Sequence, residues 1–236
     1  MRFFAGMGLF LMLANSASAA LFLNELRVDQ PGADDDEYFE LFSDTGMSLD
    51  GLSFISLQDN GTIDGAIDLT GFSIGANGFF LVGENDPLTN LGASPDFVTP
   101  ISFENGENSA YFIVDGFTSS VGTDLDVDDD GVFDAALPWT SILDGVAMID
   151  DEDTILNGGS EDINYGPVLG LDVVGPDGTF YPGHVYRLVD GTGDFAIGGF
   201  TVGDNDTPGF SNAVPEPGSL AVIGLGLFAF ARRRRS

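Results

Sequence analysis

Tyr38-Phe39-Glu40-Leu41-Phe42 carries the clearest strand signature in the chain. A period of two puts Phe39 and Leu41 on one face and Tyr38, Glu40 and Phe42 on the other, which fits a half-covered β-strand. On the second face Glu40, like Glu25 upstream, fits as a partner of Arg27 or of loop amides. Both glutamates read as structural rather than catalytic. Working outward, the same short rhythm recurs at Leu21 to Val28, Leu52 to Leu57, Ile63 to Leu69, Gly78 to Val82, Ala110 to Val114, Gly145 to Ile149, Val185 to Val189 and Ala196 to Val202. The runs are separated by Gly, Asp, Asn and Pro, the pattern of an all-β sandwich or barrel. Among the 33 glycines, those in Asn60-Gly61, Asp115-Gly116, Asp144-Gly145 and Asp177-Gly178 suit turns that need positive φ. No segment sustains a helical period, so helix is expected only at the two chain ends and in one turn near Asp86 to Leu91. The stretch from Glu84 to Pro138 is long for a connection and calls for extra strands or an insertion.

Composition narrows the chemistry. The 236 residues carry 38 acids against 7 basic residues and one histidine, a formal net charge of -31. All the basic residues are arginines, and only Arg27 and Arg187 lie between the terminal segments. Such a body repels nucleic acid and anionic lipid surfaces, because binding to phosphate polymers is dominated by cationic contacts. Divalent cations are its natural partners, although acidity also serves solubility alone. With no cysteine, disulfides, Cys-based zinc sites and Cys nucleophiles are excluded. A metal would be held by oxygen, and 21 phenylalanines can supply the core.

The ends are addresses. Residues 1–19 run from Met1-Arg2 through an apolar stretch to Ala17-Ser18-Ala19, the layout of a signal peptide cut after Ala19. Residues 213–236 form three blocks: Val214-Pro215-Glu216-Pro217, an apolar helix to Ala231, then Arg232, Arg233, Arg234 and Arg235 before Ser236. The prolines separate this segment from the folded body. From Gly218 the apolar run covers about 14 residues, short of the roughly 20 that comfortably span a bilayer. It inserts if the arginines snorkel and the bilayer thins, and the positive-inside bias then leaves the body outside. These blocks resemble the PEP-CTERM sorting signal of exported Gram-negative proteins. The resemblance implies recognition by an exosortase, a membrane protease-transpeptidase, in bacteria that make extracellular polysaccharide. It also implies transient inner-membrane anchoring before release or display at the cell surface. The short run reads as a temporary address rather than a durable anchor.

A second resemblance covers residues 20–212. Leu21-Phe22-Leu23-Asn24-Glu25-Leu26, Asp36-Glu37-Tyr38-Phe39-Glu40-Leu41-Phe42 and Leu49-Asp50-Gly51-Leu52-Ser53-Phe54 look like the opening of the lamin tail domain. Ile74 to Val82, Leu143 to Ala147, Tyr186-Arg187-Leu188 and the closing Asp206 to Asn212 fit its later course. The resemblance implies an immunoglobulin-like β-sandwich, with an acidic insertion over about residues 84–138. Lamin tail domains also accompany nuclease domains, but no such companion stands in this chain.

The sharpest chemical motif is Asp126-Val127-Asp128-Asp129-Asp130-Gly131-Val132-Phe133-Asp134, which fits D-x-D-x-D-G-x-x-D. Calcium takes six to eight oxygens, and alternating carboxylates before a sharp Gly turn aim several at one centre. Asp126, Asp128 and Asp130 are the expected direct ligands, with the Val132 carbonyl and with Asp134 directly or through water. Asp124 fits as an assistant. The EF-hand's twelfth position falls on Leu137, followed by Pro138, so a static extracellular-type loop is expected rather than a calcium sensor. The same run also reads as a solvated acidic loop. Asp150-Asp151-Glu152-Asp153 lacks alternation and reads as a solvated tip. His184 reads as a surface or edge-strand residue, since no Gly-x-Ser-x-Gly elbow accompanies it. Trp139 reads as an anchor beside the acidic turn.

Together these features describe an exported, non-enzymatic surface or extracellular-matrix structural or interaction protein. It touches membrane only through its terminal tag, and a Ca²⁺-stabilised loop is expected in its body. Extracellular polysaccharide is a candidate partner. A carbohydrate-binding adhesin and an acidic secreted hydrolase are the alternatives.

Overall fold

The computed structural model describes residues 20–150 and 163–212. The signal-peptide stretch, residues 151–162 and the C-terminal tag lie outside the described residues, and with them both terminal helices of the sequence reading and most of the Asp150 to Asp153 run. The architecture is all-β, in two sheets. Eleven strands follow in chain order among the described residues: β1 (Phe22–Arg27), β2 (Tyr38–Phe42), β3 (Leu52–Leu57), β4 (Ile63–Asp68), β5 (Phe79–Gly83), β6 (Phe97–Val98), β7 (Ser109–Asp115), β8 (Ser141–Met148), β9 (Asp172–Val174), β10 (His184–Arg187) and β11 (Phe195–Ile197). One sheet runs β11-β10-β1-β2-β5-β6 and the other β4-β3-β7-β8-β9. Most pairs are antiparallel. β5–β6 and β8–β9 are parallel.

The main core lies between the sheets. Phe39 and Leu41 of β2 point into it, as their period requires, beside Leu26, Phe80, Val82, Phe54, Ile113, Val146 and Met148. Phe39 stacks on Phe54 of the opposite sheet, with ring centroids 3.9 Å apart and planes 8° from parallel. The Arg187 guanidinium of β10 joins the sheets through Asp144 of β8, Nη2 to Oδ2 2.6 Å. The other faces are covered too. Ile55, Leu57, Phe112, Val114 and Ala147 form a second apolar layer capped by Leu125, Ile163 and Tyr165. Tyr38 and Glu40, which the strand pattern assigns to a half-open face, are fully buried.

Several local expectations change. Asp144-Gly145 is no turn: it sits inside β8, which begins at Ser141. A Cβ at Gly145 would stand 2.4 Å from the Phe112 Cβ and 2.5 Å from the Tyr111 carbonyl, so this glycine permits close approach of β7. The other three turn glycines do take positive φ, at 76° for Gly61, 69° for Gly116 and 67° for Gly178. Bends and turns without helix occupy Asp86 to Leu91, where Leu88 packs on Tyr38 and Leu81. The one short helix among the described residues, α1 (Gly166–Leu169), has Pro167 in its first turn and ends at Gly170 with φ 74°. The long Glu84 to Pro138 stretch carries β6 and β7, and β7 is central to its sheet. β6 and β9 are too short to show alternation in the sequence.

Candidate metal centre and sorting tag

The acidic loop is held by its neighbours at both ends. Leu125 N donates to Gly61 O at 3.0 Å, Leu125 itself packs into the second apolar layer, and Asp134 N returns to Leu125 O at 2.9 Å. Within the loop Asp126 is fully buried. Its Oδ1 accepts from Asp130 N at 3.2 Å, while Oδ2 accepts from Gly131 N and the Tyr165 hydroxyl, both at 2.7 Å. Phe133 stacks on Tyr165 at 5.1 Å. Positive φ at Asp129 and Gly131 makes the sharp turn. Asp126 is therefore oriented by backbone amides and an aromatic hydroxyl.

Asp126, Asp128 and Asp130 each present an oxygen within 4.8 Å of the others. Opposite ligands of one calcium ion stand about 5 Å apart, so this span fits a single ion. Asp128 is exposed, and repulsion, chiefly from Asp130, raises its carboxyl pKa. That strain is what a cation would relieve. Asp134 is not in the group of three: its Oδ2 accepts from Val127 N at 2.7 Å and closes the loop. Val132 N is bound to Asp130 Oδ1 at 2.9 Å, and its side chain is exposed. Asp124 accepts from Asp126 N at 3.0 Å, so its assistance goes to the backbone. Trp139 packs edge-on to Phe112 at 5.2 Å.

A second cluster was not legible from the chain. His184, expected at the surface, is fully buried because β10 lies between β1 and β11 and the strap after β11 covers its outer face. Its Nε2 lies 2.9 Å from Glu25 Oε1. That oxygen also accepts from the Tyr38 hydroxyl and from Thr207 N, and Oε2 accepts from the Thr207 hydroxyl at 2.8 Å. Arg27 grips Asp206 of the same strap. Glu40 accepts from Asn24 Nδ2 and from Gly209 N, and burial, reinforced by the charge of Glu25, pushes its carboxyl well up. The glutamates thus do serve loop amides. Arg27, however, pairs with Asp206 and not with either of them. Glu25, His184 and Asp206 stand close enough to share a metal ion; arginine, tyrosine and threonine already occupy the carboxylates of Glu25 and Asp206, while Nδ1 of His184 is buried without a hydrogen-bond partner among the described residues. The Thr207 hydroxyl lies within hydrogen-bond reach of Glu25 Oε2 at 2.8 Å and of Asn212 Oδ1 at 2.7 Å. The quoted closing segment Asp206 to Asn212 was the only trace of this strap in the sequence.

Asn212 is the last described residue of the strap. That residue is buried, with Nδ2 donating to Arg187 O at 2.9 Å and to Asn24 O at 3.3 Å, and N donating to Asp190 Oδ1 at 3.0 Å. The chain thereafter is of another kind. Residues 213–235 match the PEP-CTERM protein-sorting motif. A PEP-CTERM tag marks an exported protein, sorted by an exosortase-type membrane enzyme and anchored transiently before secretion or surface display. Val214, Pro215, Glu216, Pro217 and Arg232 to Arg235 all fall within the match. No helix of the described residues is long and apolar enough to cross a membrane. No curated protein and no solved structure matches the chain.

Proposed function

We propose that the chain is a non-enzymatic structural or interaction protein of the cell surface or extracellular matrix, whose loop at residues 126–134 is stiffened by Ca²⁺ and whose tag is removed by an exosortase. The observation that carries the calcium reading is the convergence of Asp126, Asp128 and Asp130, with Asp126 oriented before any ion arrives. Calcium supplies a charge that holds the two exposed carboxylates onto the buried one. The body is all-β in two sheets; its description as lamin-tail-like and immunoglobulin-like rests on the sequence resemblance alone. A Gram-negative envelope is the setting that this reading assigns.

The test is thermal melting of the exported protein with calcium and with EDTA, alongside assays for release of reducing sugar and peptide. A higher melting temperature with calcium and no hydrolysis support the reading. Identical melting curves sink the calcium site, and turnover abolished by one Asp or Glu substitution favours the hydrolase instead.

A further inference from the structure

A cleft of about 480 Å³ opens between four loops and is lined by Asp29, Asn105, Asp177, Phe180, Tyr181 and Phe200. Its volume lies in the range of small-ligand sites. None of these residues belongs to the acidic loop or to the tag.

The aromatic groups are presented on fixed backbone. Asp177 and Phe180 form an isolated bridge, with Asp177 N to Phe180 O 2.8 Å and Phe180 N to Asp177 O 3.1 Å, turning at Gly178 with φ 67°. Phe180 is 74% exposed on that hairpin and Phe200 is 44% exposed. The Phe200 carbonyl accepts from Arg27 Nη1 at 3.2 Å, which ties its backbone to the buried Arg27–Asp206 pair. A Cβ on Gly183 would stand 2.9 Å from both the Phe200 ring and the Asp29 carbonyl, so this glycine lets the two sides of the cleft approach. Tyr181 is buried, its hydroxyl 3.3 Å from that of Tyr111.

The polar groups choose the occupant. Asp29 and Asp177 bring two carboxylates to a cleft with three aromatic rings, and the Asn105 amide stands beside the carboxylate of Asp34, Nδ2 to Oδ2 3.3 Å. Burial raises the pKa of the Asp29 carboxyl, and the charge of Asp34 raises it further. Aromatic faces and carboxylates together attract an ammonium group, by cation–π and ionic contact. Rings also pack on the C–H faces of a pyranose, and an amide hydrogen-bonds its hydroxyls. In a chain of net charge -31, anionic glycans are repelled and cationic ones drawn in.

We infer that this cleft binds a glycan bearing free amino groups, the amine at Asp29 and Asp177 and the sugar faces on Phe180 and Phe200. The inference deepens the interaction role proposed above and rests on it only for delivery to the cell surface. It is independent of calcium.

The experiment is calorimetric titration of the exported protein, at constant calcium and about physiological salt, with glucosamine hexamer, its N-acetylated counterpart, cellohexaose and hexalysine. Phe180→Ala and Phe200→Ala leave the core intact, because both rings are exposed. The expected result is saturable binding of glucosamine hexamer, weakened about tenfold in each variant, which corresponds to about 1.4 kcal/mol. Hexalysine, lacking pyranose faces, should bind more weakly and lose less affinity on the substitutions than glucosamine hexamer does, since only its cation–π contacts are removed. Three results overturn the inference: no binding of glucosamine hexamer, equal binding of the uncharged hexamers, or affinity unchanged in both Phe variants. Melting with calcium and EDTA on the same preparation separates failure here from failure of the calcium reading.

Discussion

Arg27 grips Asp206 across the body, with Nε to Oδ1 and Nη2 to Oδ2 both 2.5 Å and neither side chain exposed. The same guanidinium also donates to Asp29 O, Phe200 O and Gly199 O, so it fixes the start of the strap as well as its acid. Removing one partner of such a pair strands a buried charge, at about 3 to 5 kcal/mol. Arg27→Ala should lose stability in that range. Asp206→Asn should lose less, since the three carbonyls keep their donor. Urea denaturation midpoints check the order, and equal losses would show that the carbonyl contacts carry nothing.

Glu37 makes the stability depend on pH. It is buried at the start of β2, where its Oε1 accepts from Phe103 N at 2.9 Å. Burial pushes its carboxyl up to about 8 from 4.5, and the charges of Glu84, Asp34 and Asp29 add to the rise. Between those two values the folded state holds a proton that the unfolded chain releases, so its contribution is complete below about 4.5 and is lost as pH rises through 8. The melting temperature should therefore fall from pH 5 to pH 8. Glu37→Gln keeps an oxygen for the Phe103 amide and should flatten that fall. A mutant curve parallel to wild type would assign the slope to other carboxyls.

What the chain disclosed and what it withheld divide along sequence separation. Phe39 and Leu41 were legible as core because alternation is local, and Asp126, Asp128 and Asp130 were legible as one group because a turn gathers near neighbours. Tyr38, Glu40 and His184 were not. The strap that follows β11 covers Glu40 and His184, and Tyr38 is covered by Leu88 as well as by the strap; both lie far along the chain, and nothing beside these residues announces them. For the same reason the hydroxyl of Tyr165 on Asp126 was invisible. Gly145 misled because Asp-Gly is a turn signal, whereas here the glycine is needed for close packing against Phe112.

The calcium loop is best tested at its exposed member. Asp126→Ala would strip partners from Asp130 N, Gly131 N and the Tyr165 hydroxyl, and would destabilise the loop with or without an ion. Asp128 is exposed and repelled by Asp130, so Asp128→Ala should leave the melting temperature in EDTA unchanged or slightly raise it. It should also abolish the increase that calcium gives the wild type. If the variant keeps that increase, Asp128 is not a ligand.

Gly61 is the backbone seat of that loop. It has φ 76°, and a Cβ there would lie 2.8 Å from the Asp126 Cβ, 3.1 Å from Asp126 N and 3.0 Å from the Tyr165 hydroxyl. Gly61→Ala combines left-handed strain of about 1 to 2 kcal/mol with displacement of Asp126. It should destabilise the protein and weaken calcium binding together, whereas Gly71→Ala, also at positive φ but with open space around it, should cost stability only. Calcium titration followed by melting separates the two. Equal calcium affinity in both variants would show that the seat of Asp126 has no bearing on the ion.

Asn212, next to the tag, is bonded to Arg187 O, Asn24 O and Asp190 Oδ1, and these bonds involve no residue of the tag. Replacing Pro215, Glu216 and Pro217 with alanine removes the part of the sorting motif that separates body from apolar segment. The altered protein should be exported yet stay unprocessed in the membrane fraction, while wild type leaves it. Positive charge on the cytoplasmic side favours retention of a short apolar run in a bilayer, so a variant lacking Arg232 to Arg235 should bypass the membrane fraction unprocessed. Both should melt like the wild-type body in calcium. Fractionation with mass spectrometry of the C-terminus reads all three outcomes, and wild-type processing of the alanine variant would show that the enzyme does not read this motif.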